Sequence, residues 1–336
     1  MTRSRLGVVA LVAILISIAG ALLLPALAGA ASGSTARPAA ATASDAATSN
    51  SAFSEATSTE NPLSIPKAAL LGLVEGVTEY LPVSSTGHLL ITERLLGLGE
   101  GADKAATDGY TVVIQIGAII AVLGIYRKRF VSMGEGLLGR SEDGRRSLIA
   151  VVAAFIPAAI IGQILGDTIK EHLLAPWPVA GAWIVGGVVI LVFSRFQGAI
   201  TATMDSVSQL TARHALIIGL AQTLALWPGT SRSLVTIIAG VLLGLRLQAA
   251  VEFSFLLGFV TLSAATAYEL LGSGGDILDT FGIVTPLIGI VVAGIAAFVS
   301  VRFMIEWLNR RGLAIFGWYR LAAGAAAIVL ITTGTI

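Results

Sequence analysis

From Ile65 onward, long apolar runs alternate with short breaks rich in Gly, Pro and charge. Six runs are uninterrupted: Tyr110–Tyr126, Leu148–Leu165, Val179–Phe193, Ala250–Leu271, Ile283–Met304 and Ala314–Ile331. A helix crosses a bilayer with about 20 apolar residues, fewer or more with tilt. Two further runs are broken in the middle, Lys67–Ile91 at Pro82-Val-Ser-Ser-Thr-Gly87 and His214–Leu245 at Trp227-Pro-Gly-Thr-Ser-Arg-Ser233. Non-helical backbone at membrane depth is tolerated only inside protein or beside a polar cavity. The pattern therefore predicts an all-α polytopic membrane protein with about six full transmembrane helices and two re-entrant helical hairpins.

Composition supports this. Of 336 residues, 55% are hydrophobic and 12% charged, against about 25% charged in soluble domains. The net charge of +1 says nothing about partners, and nucleic acid is not expected. With no cysteine, disulfides, thiolate metal sites and a Cys nucleophile are excluded. The first 62 residues stand apart. A basic start (Met1–Arg5), an apolar run from Leu6 to about Leu27 and a small-residue Ala28-Gly29-Ala30 make residues 1–30 a signal peptide or an N-terminal transmembrane helix. Residues 31–62, rich in Ala, Ser and Thr, read as a disordered linker to the membrane domain at 63–336.

Basic residues collect after the first, third and fifth full spans, among them Arg127, Lys128, Arg129, Arg195, Arg213, Arg310 and Arg311. The positive-inside rule places these loops in the cytoplasm. An internal repeat is also visible. Gly72-Leu-Val-Glu75 lines up with Gly219-Leu-Ala-Gln222, and Pro82-Val-Ser-Ser85 with Pro228-Gly-Thr-Ser231 after a one-residue gap. Each half, about 65–195 and 212–333, is a broken hairpin followed by three spans. An odd number of spans inverts the second copy, and inverted repeats with discontinuous helices place binding sites near the midplane.

Candidate chemistry concentrates in the two breaks. Glu75 and Glu79 lie one helical turn apart on one face. Such a pair can hold a hard divalent cation or divide base and acid roles, and buried carboxylates in membrane are costly enough to suggest function. A purely structural ion pair with Arg232 is the competing reading. Ser84, Ser85 and Thr86 offer hydroxyls and successive N–H groups at a helix N-terminus, suited to an anion, although Ser and Thr are also ordinary N-caps. His88 is a candidate proton carrier or phosphate acceptor. In the second break, the planar fork of Arg232 matches phosphate oxygens, with Ser231, Ser233 and Thr236 as additional donors. The set suits phosphoryl transfer, where catalysis is mostly positioning and charge stabilisation. Gln115, Glu252 and Ser254 line the cavity or pack helices. Tyr319 and Arg320 read as an interface anchor, and Trp177, Trp183, Trp307 and Trp318 as interfacial belts.

Leu73-Val-Glu-Gly-Val-Thr-Glu-Tyr-Leu-Pro-Val-Ser-Ser-Thr-Gly-His88 and Trp227-Pro-Gly-Thr-Ser-Arg-Ser233 resemble the two signature motifs of the undecaprenyl-diphosphate phosphatases, the bacitracin-resistance family of bacterial inner-membrane enzymes. The resemblance runs from about Ile65 to the C-terminus. It implies removal of the terminal phosphate of undecaprenyl diphosphate, which recycles the lipid carrier of peptidoglycan synthesis. It also implies dependence on a divalent cation (Mg2+ or Ca2+), an inverted-repeat fold and a site open to the external face. The family's motif residues match Glu75, Glu79, Ser85, His88, and Arg232 beside Ser231 and Thr236. Attack by Ser85, by His88 or by water stays open, with Ser85 preferred. The implied partners are a polyprenyl diphosphate and membrane lipids, with a homodimer as a further candidate. A transporter or flippase for a polyprenyl phosphate is the alternative, since carriers share this architecture.

Overall fold

The computed structural model describes residues 63–98 and 104–336, and the expected signal or anchor (1–30) and linker (31–62) lie outside the described residues. The described residues form helices joined by turns, with one isolated bridge between Met204 and Leu245. Helix α1 (Ile65–Thr78) starts with a proline in its first turn, where the missing N–H costs nothing. Its last turn gives way to the segment before Pro82, where the residue preceding a proline is driven out of helical geometry. Helix α2 (Ser85–Leu95) completes the first hairpin. The first span is jointed at Ile114 into α3 (Lys104–Val113) and α4 (Gln115–Ile125). A short helix α5 (Arg127–Leu137) leads to α6 (Glu142–Leu173), whose start is capped by Ser141 accepting from the Gly144 N–H at 3.0 Å. Helix α7 (Pro176–Phe196) closes the first half.

The second half repeats this order. Helix α8 (Ala212–Gln222) and α9 (Arg232–Leu242) form the second hairpin, with a 3-10 turn at Thr223–Leu226 between them. Helices α10 (Leu247–Phe281), α11 (Val284–Arg311) and α12 (Ala314–Thr332) follow. Among the described residues, six helices are long and apolar enough to cross a membrane, and they match the six runs expected from sequence to within one residue where a run oversteps its helix. The chain is a multi-pass membrane protein. Helix α10 extends about ten residues past the expected Leu271, through Gly272–Gly275, because Ile277 and Phe281 are buried; Phe281 meets the Tyr110 ring edge-on at 6.0 Å. Tertiary anchoring here overrides the poor helix propensity of glycine.

The hairpins exchange partners between halves. Helix α1 lies along α11, and α8 lies along α6. Contact is close enough that a Cβ on Gly72 would overlap the Gly289 carbonyl, and one on Gly219 the Ala154 carbonyl. Small residues let helix backbones approach in this way within membranes. Gly72→Val and Gly219→Val are each expected to destabilise the fold by about 1–3 kcal/mol through overpacking. The check is the thermal midpoint in detergent against Gly166→Val, at a glycine with open space beside it.

The repeat needs no gap. The same spacing along the chain separates Gly72 from Gly219, Glu75 from Gln222 and Ser84 from Ser231. Ser84 (φ 72°, ψ 102°) and Ser231 (φ 75°, ψ 113°) share a left-handed backbone, rare for a non-glycine residue, and each precedes the second helix of its hairpin. Ser85 therefore corresponds to Arg232 rather than to Ser231. The prolines suggested the gap, whereas the left-handed residue sets the correspondence.

Candidate active site

The two hairpin turns meet around a cavity of about 160 Å³. Glu79, Ser84, Ser85 and Thr86 line it from the first turn, and Pro228, Gly229, Ser231 and Arg232 from the second. Gln115 of α4, Ala225 and Leu262 of α10 complete the wall. The N-termini of α2 and α9 both open here, so two sets of unsatisfied N–H groups and two positive dipole ends share one small volume. Ser231 caps its helix by accepting from the Leu234 N–H at 3.3 Å, while the Ser84 side chain makes no cap bond.

A continuous polar chain crosses the cavity. The Ser85 hydroxyl donates to Glu79 Oε2. Glu79 Oε1 accepts from Arg232 Nη2 at 3.0 Å. Arg232 Nη1 donates to the Ser254 carbonyl at 2.9 Å, and its guanidinium lies 5.7 Å from the centre of the Tyr80 ring. One carboxylate thus holds a hydroxyl and a guanidinium in fixed register. Both charged side chains are about nine-tenths buried, where such charge-assisted bonds are strong.

Glu75 sits one turn behind Glu79 on α1, fully buried, and neither of its carboxylate oxygens has a hydrogen-bond partner. The Gln115 Oε1 at the cavity wall and both amide atoms of Gln222, the counterpart of Glu75, are also unpartnered. Orphaned buried oxygens of this kind ask for a cation or water.

Three expectations need correction. Ser233 and Thr236, expected on phosphate, lie behind the cavity wall. The Ser233 hydroxyl donates to the Leu81 carbonyl at 3.0 Å, tying one hairpin to the other, and Thr236 donates to Ser254 Oγ at 2.7 Å. His88, expected as base or nucleophile, does not line the cavity. Its ring packs against Trp183 of α7 and Tyr319 of α12, and both ring nitrogens are engaged: Nδ1 with the Ser84 carbonyl and Nε2 with Tyr319 Oη, each at 2.7 Å. Trp183 is buried beneath His88, with ring centres 4.6 Å apart, instead of lying in an interfacial belt. Glu252, read as lining the cavity or packing helices, pairs with Arg129 of α5.

Sequence reasoning missed Arg320. This side chain is fully buried and donates to the Gly229 carbonyl at 2.7 Å, to Ala182 at 2.8 Å and to Pro82 at 3.3 Å. It therefore joins both hairpin turns and α7. The available signal was its position well inside the last apolar span, where a cation needs internal partners.

A family model described as bacitracin resistance protein BacA matches residues 68–326. A protein of Sorangium cellulosum (strain So ce56) named undecaprenyl-diphosphatase is 43% identical over 270 residues, covering 78% of this chain and 85% of its own length. A Rhodospirillum rubrum protein named undecaprenyl-diphosphatase 2 is 43% identical over 270 residues, covering 80% and 96%. An undecaprenyl-diphosphatase of Bradyrhizobium diazoefficiens is 39% identical over 269 residues, covering 80% and 98%.

Proposed function

This chain belongs to the family of bacitracin resistance protein BacA, and from that premise we propose that it hydrolyses undecaprenyl diphosphate to undecaprenyl phosphate and inorganic phosphate. The observation that carries this reading is the Ser85–Glu79–Arg232 chain at a cavity fed by two helix N-termini. The terminal phosphate sits against Arg232 and the N–H groups opening α2 and α9. Ser85 Oγ attacks its phosphorus while Glu79 takes the hydroxyl proton. The bond to the bridging oxygen breaks, and undecaprenyl phosphate leaves with that oxygen. Water then attacks the phosphoserine, its proton passing to a carboxylate, and inorganic phosphate departs as Ser85 regains a proton from Glu79. Ser requires an adjacent base to act as a nucleophile. Glu79 meets that requirement by contact, whereas His88 is engaged elsewhere.

Glu75 and Glu79 are the residues that fit a Mg2+ or Ca2+ ion, since hard cations take oxygen donors and Glu75 has two oxygens without partners. Among the described residues no group of three or more His, Cys, Asp or Glu gathers to hold a metal by itself. Such a cation would complete its shell with diphosphate oxygens and water, as Mg2+ commonly does at phosphates. When bound it would neutralise charge on the diphosphate.

By the positive-inside rule we read the basic loops, with α5 and the neighbouring turns, as lying on the cytoplasmic side of a bacterial inner membrane. The site then opens to the external face, between inverted halves 65–195 and 212–333. Exposed apolar side chains such as Ile156 and Ile160 on α6 and Val291 and Ile295 on α11 face membrane lipid. Nothing in the relatives' names favours the transporter alternative.

The test is release of inorganic phosphate from undecaprenyl diphosphate by purified protein in detergent, with and without chelator. Release that stops with chelator and returns with Mg2+ or Ca2+ is expected. Ser85→Ala should lower kcat by a factor on the order of 10³ or more, as for removal of a nucleophile. No release by the wild type with either cation overturns the reading, and near-normal turnover by Ser85→Ala overturns the serine route.

A further inference from the structure

The two hairpin turns share a left-handed serine but hold it differently. At Ser84 the carbonyl accepts from the ring of His88 at 2.7 Å, and from the His88 backbone N–H at 3.4 Å. At Ser231 the corresponding position is Val235, and no ring is available. A carbonyl oxygen can only accept, so the proton of a neutral imidazole lies on Nδ1. Nε2 is then an acceptor, and the Tyr319 hydroxyl at 2.7 Å donates to it. The ring is clamped by its neighbours. Tyr319 stacks on it at 5.6 Å with an interplanar angle of 15°, and Trp183 packs at 4.6 Å on it. Gly87 leaves room for that indole, which a Cβ there would overlap.

We propose that Tyr319 and His88 form a latch of fixed tautomer, acting as positioning residues that hold the Ser84 turn and so keep the Ser85 hydroxyl against Glu79. The chain of contacts runs from α12 through His88 to the Ser84 carbonyl, one peptide from the attacking group. An unsupported left-handed serine relaxes toward common backbone geometry, and relaxation would swing Ser85 away from its base. The latch moves no proton to substrate. It requires a donor at the place of Nδ1 and, from Tyr319, a donor that keeps the ring in that tautomer.

The inference rests on the phosphatase reading, and the experiment separates the two. Purified wild type, His88→Ala, His88→Asn and Tyr319→Phe are compared for kcat and KM in phosphate release from undecaprenyl diphosphate. Asn carries an amide N–H where the ring Nδ1–H stands, but it cannot accept phosphate or act as a base. His88→Ala is expected to lose kcat by about 100-fold with KM little changed, the scale of a misplaced reacting group. His88→Asn should recover to about one-third of wild type. Tyr319→Phe should lose about 10-fold in kcat, the scale of one hydrogen bond. If the wild type turns over while His88→Asn is as inactive as His88→Ala, at matched thermal midpoints, the latch is wrong. It is also wrong if an acid-labile phosphate forms on the wild type and vanishes in His88→Asn, or if Tyr319→Phe keeps wild-type kcat. If the wild type itself releases no phosphate, the phosphatase reading fails instead.

Discussion

Arg232→Met is expected to abolish phosphate release, lowering kcat by about 10³-fold or more, and to destabilise the protein. The first effect follows from removing the guanidinium that faces the cavity beside two helix N-termini, where fixed charge stabilises a transferring phosphoryl group most strongly. The second follows from Glu79, which would be left as a buried carboxylate with only the Ser85 hydroxyl as partner. Removing one member of a buried pair typically costs about 3–5 kcal/mol. Arg232→Lys should also be poorly active. One ammonium cannot reproduce the fork that reaches both Glu79 and the Ser254 carbonyl. The double variant Glu79→Gln with Arg232→Met separates the roles. It removes both charges, so its thermal midpoint should rise above that of Arg232→Met alone while turnover stays absent. Turnover recovered along with stability would instead make the pair a structural one.

Arg320→Met should be nearly as damaging, although this residue does not line the cavity. Three carbonyls from Pro82, Ala182 and Gly229 would lose their donor inside the protein. Each buried acceptor left unsatisfied costs about 1–3 kcal/mol. Two of the three belong to opposite hairpin turns, so the expected result is loss of registration between Glu79–Ser85 and Ser231–Arg232 as well as loss of stability. Gly186→Ala reaches the same contact from the other side. A Cβ on Gly186 would overlap the Arg320 guanidinium. Both variants should show a lowered thermal midpoint in detergent and a fall in kcat. If either keeps wild-type kcat with its midpoint clearly lowered, Arg320 holds the fold together but not the site.

The contrast between Arg232 and Arg320 shows what could be read in advance. Arg232 sits in a Pro-Gly-Thr-Ser-Arg-Ser break within an apolar run, so local sequence marks it as chemical. Arg320 follows Tyr319 in an unbroken span, the usual setting of an interface anchor, and only burial against three carbonyls identifies it. His88 shows the opposite error. Its place beside Ser84, Ser85 and Thr86 suggested catalysis, but its ring bonds back to the Ser84 carbonyl and across to Tyr319 and packs on Trp183, so these tertiary partners hold it away from the cavity. Ser233 and Thr236 are likewise taken up behind the wall, by the Leu81 carbonyl and the Ser254 hydroxyl.

The six spans, the two broken hairpins, the paired carboxylates and the internal repeat were determined by the sequence alone. Each depends on hydrophobic period, on breaker residues or on spacing within one segment. The exchange of hairpins between halves, the backbone register of the repeat and the partners of Glu79, His88 and Arg320 were decided by tertiary structure. These depend on which residues distant in the chain meet, and in an apolar environment a buried polar group takes whatever donor or acceptor the packing brings to it. Local pattern therefore located the reactive groups, while the packing of α12 against the two turns selected which of them face the cavity.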